Sequence, residues 1–121
     1  MNTKILIVDD NAQNISLMKL LLQHAGYTVI SASNGADGVK LAKQEHPDLI
    51  LMDIQMPEVS GIEAAREILA DVSTLNIPII GVSAYARPEL RQQALRLGMV
   101  GFFEKPIHNE TFIKEIRKFL P

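Results

Sequence analysis

The stretch Asp48-Leu49-Ile50-Leu51-Met52-Asp53-Ile54-Gln55-Met56-Pro57 decides how the chain is read. Leu49-Ile50-Leu51-Met52 is a short, unbroken apolar run set between Pro47 and Pro57. Such a run reads as a strand buried on both faces. It ends in a carboxylate. Burying a charged carboxylate is costly unless a cation or hydrogen-bond donors meet it. Asp53 is therefore expected at the mouth of a sheet, with partners around it.

Similar runs lie on either side. Ile5-Leu6-Ile7-Val8 leads into Asp9-Asp10, residues 27–30 form a further strand, residues 77–82 lead into Ser83, and residues 99–103 precede Glu104-Lys105-Pro106. Helical spacing fills the gaps. Ile15, Met18, Leu22 and Ala25 are in phase across residues 11–25, and Ala36, Val39 and Ala42 mark a second helix. Ile62, Ala65, Leu69 and Val72 mark a third, and Leu90, Ala94 and Leu97 a fourth that opens at Pro88. Phe112, Ile116 and Phe119 mark the last, over residues 111–120. Gly26 and Gly98 suit left-handed stops. Fivefold alternation predicts an α/β, doubly wound (βα)5 flavodoxin-like fold with a parallel five-stranded sheet in the order 2-1-3-4-5. The strand at 27–30 is the least apolar, as an edge strand should be.

Composition narrows the class. At 121 residues the chain is expected to be one domain spanning 1–121. Its hydrophobic fraction of 47% excludes a disordered chain. A net charge of −2 offers no basic field for nucleic acid or an anionic membrane. Cysteine is absent, which removes disulfides, thiol chemistry and Cys-based zinc sites. No apolar segment approaches the roughly 20 residues of a membrane span. Met1-Asn2-Thr3-Lys4 runs straight into the first strand, leaving no room for a usual signal peptide. The expectation is a soluble, cytoplasmic protein.

Four of the five strands end in groups capable of chemistry: Asp9 with Asp10, Asp53, Ser83 and Lys105. A parallel sheet brings these ends to one edge, where open α/β sheets bind ligands. Singly, Asp10 or Ser83 could be an N-cap and Lys105 a solvated side chain. Together they are hard to explain as independent caps. Asp10 and Asp53 on adjacent strands could share a hard divalent cation, with Asp9 adding charge through a water. Few carboxylates and retained waters suit Mg²⁺ better than Ca²⁺. An Asp53 oxygen could attack phosphorus to give an aspartyl phosphate. Ser83 could donate to one phosphoryl oxygen and Lys105 pair with another.

These residues carry a resemblance. Ile-Leu-Ile-Val-Asp9-Asp10-Asn11, the stretch from Pro47 to Pro57 with Gly61, Ile-Ile-Gly-Val-Ser83-Ala84, and Lys105-Pro106 resemble the receiver domains of bacterial two-component response regulators. The likeness covers essentially the whole chain. It implies that Asp53 accepts a phosphoryl group from a partner's phosphohistidine. It implies Mg²⁺ held by Asp9, Asp10, Asp53 and the backbone carbonyl of Gln55, and a cis peptide before Pro106 that aims Lys105 inward. It implies a histidine kinase or histidine phosphotransfer protein as donor. It also implies a downstream protein met by the fourth helix, fifth strand and fifth helix; Arg87, Arg91 and Arg96 give that fourth helix a basic cast, read either as a solvated face or as part of the partner surface.

The chain stops soon after the fifth helix, so no output domain is expected. This resembles single-domain regulators of cell division and polarity, as a monomer or weak dimer. Asp9-Asp10-Asn11-x-x-Asn14 also resembles receivers attached to hybrid kinases, which keeps a phosphorelay role open. Phe102 stands where many relatives have a switch tyrosine, so a hydroxyl-based switching account does not transfer. Gln55 and Tyr85 occupy positions that tune phosphoryl hydrolysis, and a bulky Tyr85 would hinder attacking water.

Two rivals are weaker. A flavodoxin-like electron carrier needs a Ser/Thr/Gly-rich phosphate loop where this chain has two carboxylates. A Mg²⁺-dependent phosphohydrolase lacks an evident second Asp, because Gln55 stands there. No enzyme activity beyond the protein's own phosphorylation and dephosphorylation is expected.

Overall fold

Residues 3–56, 60–84, 87–105, 107 and 109–120 are described by a computed structural model, Asn109 without its side chain. The elements are β1 (Lys4–Val8), α1 (Ala12–His24), β2 (Thr28–Ala32), α2 (Gly35–Glu45), β3 (Leu49–Asp53), α3 (Gly61–Ala70), β4 (Ile79–Ser83), α4 (Pro88–Leu97), β5 (Gly101–Glu104) and α5 (Asn109–Arg117). All strand pairs are parallel and the order is β2-β1-β3-β4-β5. The fold class and the edge position of β2 are those expected from the sequence.

The continuous apolar runs are explained by two cores. Leu6, Val8, Ile50, Met52 and Ile79 pack beneath α2, α3 and α4. Ile5, Ile7, Leu49, Leu51, Ile80 and Val82 pack beneath α1 and α5. Every residue of β3 and β4 is buried, while β2 is partly exposed. Phe103 meets Phe112 edge-on, at 5.4 Å between ring centres, and ties β5 to α5.

Two helix faces depart from the spacing. Ala36 is exposed, and α2 buries Gly35, Gly38, Val39 and Ala42 instead. A Cβ at Gly38 would lie 2.7 Å from a Val8 methyl, so close packing selects a residue that hydrophobic periodicity does not count. Val72 is 87% exposed, because α3 ends at Ala70. Asp71 stops it: its Oδ1 accepts from both the Ser73 amide and hydroxyl, a local turn that competes with helix.

Candidate functional site

Strand register assembles the site. Val8 pairs with Met52, so Asp9 follows level with Asp53. Asp53 pairs with Val82, which puts Ser83 one step further, and Ser83 pairs with Glu104, which puts Lys105 a step beyond that. The backbone ladder continues past β5, with Lys105 N–H donating to Ser83 O at 2.8 Å.

The geometry brings together most of the residues singled out in the sequence. Ligand oxygens of Asp9, Asp10 and Asp53 all lie within 4.8 Å of one another. Asp9 and Asp53 are buried, and Asp10 is exposed. Lys105 Nζ lies 3.1 Å from Asp9 Oδ2 and 3.3 Å from Asp53 Oδ2. It hydrogen-bonds Asp53. The Asp9 contact is an ion pair without hydrogen-bond alignment, so that buried oxygen has no hydrogen-bond partner among the described residues. Asp53 Oδ1 accepts from the Gln55 amide at 3.0 Å, and Asp9 Oδ1 from the Asn11 amide at 2.8 Å. Ser83 Oγ, fully buried, donates to Gln55 Oε1 at 3.1 Å.

Neither candidate cap is a cap. Asn11 caps α1 by accepting from the Gln13 and Asn14 amides, which leaves Asp10 available to the cluster. Sequence reading overlooked this role of Asn11, although an Asn directly before a helix is a strong N-cap signal. At α4 the cap position is Arg87, with Pro88 opening the helix, so Ser83 is not spent there either. Phe102 is half-buried against the core under α3 and α4. It lines a cavity of about 250 Å³ with Arg91, Leu95, Glu115 and others. Tyr85 and the peptide before Pro106 lie outside the described residues.

Burial pushes the Asp53 carboxyl from its ordinary 3.8 up to about 6. The Gln55 amide opposes the rise, Asp9 adds to it, and Lys105 opposes it. A carboxyl whose folded value is raised holds its proton better folded than unfolded. Its stabilising contribution is complete below about pH 4 and is lost as pH rises through about 6. Without metal, Asp53→Asn is therefore expected to melt several degrees above wild type at neutral pH, with the gap closing toward acid. Thermal melts in chelator across that range test this. A wild type that is the more stable form at neutral pH would mean that the Gln55 amide and Lys105 together outweigh burial and the charge of Asp9.

The donor set fits a hard divalent cation: three clustered carboxylates, one with a buried oxygen lacking any hydrogen bond among the described residues.

A carboxylate cluster with an ammonium, at the carboxyl edge of a parallel 2-1-3-4-5 sheet, is the arrangement of a phosphoryl-signalling receiver. Residues 5–117 match the response regulator receiver domain, and the chain belongs to that family. It is 38% identical over 120 residues to the polar-differentiation response regulator DivK of Brucella ovis, covering 99% of this chain and 98% of that one. The same protein of Brucella anthropi is equally similar. Among solved structures, the Vibrio cholerae chemotaxis protein CheY4 superposes with a TM-score of 0.94 at 28% identity, covering 99% of this chain and all of that one. The receiver domain of the Pseudomonas aeruginosa sensor histidine kinase PA1611, solved with magnesium coordinated in its active-site cleft, gives 0.90 at 30% identity, with 98% of each chain covered. Among the described residues, no helix is long and apolar enough to cross a membrane.

Proposed function

We propose that this chain is a phosphorylation-driven switch that accepts a phosphoryl group on Asp53 from a phosphohistidine of a sensor kinase or histidine phosphotransfer protein. The observation that carries the reading is the juxtaposition of Asp9, Asp10, Asp53 and Lys105 at one sheet edge. Asp53 is largely ionised at neutral pH, yet more basic than an ordinary carboxylate, which suits a nucleophile. Its oxygen forms the new bond to phosphorus as the bond from phosphorus to the imidazole nitrogen breaks, and the imidazole takes a proton from solvent. Lys105 carries three N–H donors, so it can follow the charge onto the phosphoryl oxygens while remaining near Asp9. Ser83 donates to another of those oxygens. Loss of the group by attack of water at phosphorus returns the Asp53 carboxylate and inorganic phosphate.

Asp9, Asp10, Asp53 and the Gln55 carbonyl would hold Mg²⁺, which supplies positive charge to offset the carboxylates and the phosphoryl oxygens. Mg²⁺ is expected to raise the melting temperature of wild type. Asp9→Asn and Asp10→Asn should each weaken Mg²⁺ binding roughly tenfold or more in a calorimetric titration. Undiminished binding in both would remove these two residues from the ligand set.

Output follows if the phosphoryl group favours one of two states by its contacts. Ser83 moving toward it would let Phe102 shift inward and alter the face formed by α4, β5 and α5, which meets a downstream protein in the cytoplasm. The likeness to the polar-differentiation regulators supports a role in cell division or polarity. The likeness to a kinase-borne receiver supports a relay role as the second reading. Intact mass after incubation with acetyl phosphate, with and without Mg²⁺, tests the first step. One phosphoryl group gained only with Mg²⁺ is expected, and no gain from acetyl phosphate or from a phosphorylated phosphotransfer protein would refute the reading. Return of the group from this chain to a phosphotransfer histidine would favour the relay.

A further inference from the structure

Ser83 is fully buried and gives its hydroxyl proton to Gln55 Oε1 at 3.1 Å. Gln55 is exposed, and its own amide is anchored on Asp53 Oδ1 at 3.0 Å. One residue thus joins the acceptor carboxylate to the hydroxyl assigned to the phosphoryl group. A hydroxyl carries one proton and cannot serve two acceptors fully at once. We propose that the Gln55 side chain is a positioning residue that competes with the phosphoryl group for the Ser83 proton, and so sets part of the switching equilibrium. This inference rests on the phosphoryl-acceptor reading of Asp53.

The placement of the residues argues for competition. Ser83 is in phase with Gly81, where a Cβ would meet Ile54 and Met99, on the face covered by α3 and α4. Asp53 is in phase with Leu49 and Leu51, on the face covered by α1 and α5. Ser83 must leave Gln55 to reach a group on Asp53. On release, the exposed carboxamide of Gln55 is satisfied by water, whereas a buried hydroxyl needs a protein or phosphoryl partner. Removing the Gln55 acceptor therefore weakens the unphosphorylated arrangement and leaves the phosphorylated one nearly untouched. Because Gln55 is exposed, its replacement has little bearing on folding.

The test is a double-mutant cycle read with beryllofluoride, which mimics a phosphoryl group on a carboxylate, at saturating Mg²⁺ by fluorine NMR. Gln55→Met keeps the length of the side chain and removes the amide oxygen. It is expected to tighten beryllofluoride binding about three- to tenfold. In a Ser83→Ala background the same substitution should change nothing, since no proton is contested. Unchanged or weaker binding in Gln55→Met, or an equal gain in both backgrounds, would overturn the proposal. Failure of wild type to take up beryllofluoride would instead count against Asp53 as acceptor, and this inference would fall with it.

Discussion

Asp53→Asn is expected to take up no phosphoryl group from acetyl phosphate and Mg²⁺ under conditions that should convert most of the wild type to a singly phosphorylated species in intact-mass spectra. The expected loss is of the whole reaction, because an amide oxygen is a poor nucleophile and no neighbour replaces it. Asp9 is buried, with Oδ1 engaged by the Asn11 amide and Oδ2 facing Lys105. Asp10 is exposed and follows the strand end, whereas Asp53 is the buried last residue of β3. Asn retains the shape of the side chain and an oxygen able to accept from the Gln55 amide, so the fold is kept. Its melting temperature without metal, expected above that of wild type at neutral pH, separates lost chemistry from lost structure. Labelling of Asp53→Asn at the wild-type rate would move the acceptor elsewhere and undo the reading.

The fold was legible because the three central strands are almost entirely apolar and each helix carries one apolar stripe, two signals that do not depend on tertiary detail. The site was legible to the extent that strand ends share one edge, which places Asp9, Asp10, Asp53, Ser83 and Lys105 together before any distance is known. Register was not legible. It decides that Asp9 stands level with Asp53 and that Lys105 pairs with both carboxylates. Sequence reading paired Lys105 only with the phosphoryl group. The hydrogen bond between Gln55 and Ser83 also escaped, because it joins the loop after β3 to the end of β4, 28 residues away in the chain. Helix phase failed where glycine, with no hydrophobic signal, is the residue that packing requires, as at Gly38 beneath Val8. It failed again where Asp71 and Ser73 end α3 by local hydrogen bonds that an apolar count cannot register.

Gly61 has a similar character, and its substitution is expected to have the second largest effect. In the sequence it is only part of a family pattern. In the structure it opens α3 directly against the site: its amide donates to Ile54 O at 3.2 Å, and Ser60 caps the helix by accepting from Glu63 N–H at 3.2 Å. A Cβ on Gly61 would collide with the backbone carbonyl oxygen of Asp53 and come within 2.7 Å of the Asp53 carbonyl carbon and of Ile54 Cα. These are main-chain atoms at the end of a fully buried strand, so no side chain can rotate aside. The strain is relieved only by shifting α3 or by displacing the peptide that carries Asp53. Gly61→Ala is therefore expected to destabilise the fold by roughly 3 kcal/mol, about 10 °C or more in melting temperature. The fraction that folds should phosphorylate about a hundredfold more slowly, since displacement near 1 Å is enough to misplace a reacting carboxylate. Thermal melts and the initial rate of mass gain on the folded variant measure the two effects separately. Gly38→Ala provides the contrast: the nearest atoms to its Cβ are side-chain atoms of Val8 and not the main chain that carries Asp53, so it should lose stability without a comparable loss of rate. A Gly61→Ala protein that melts with wild type and phosphorylates at its rate would show that the contact with the Asp53 carbonyl does not hold the acceptor in place.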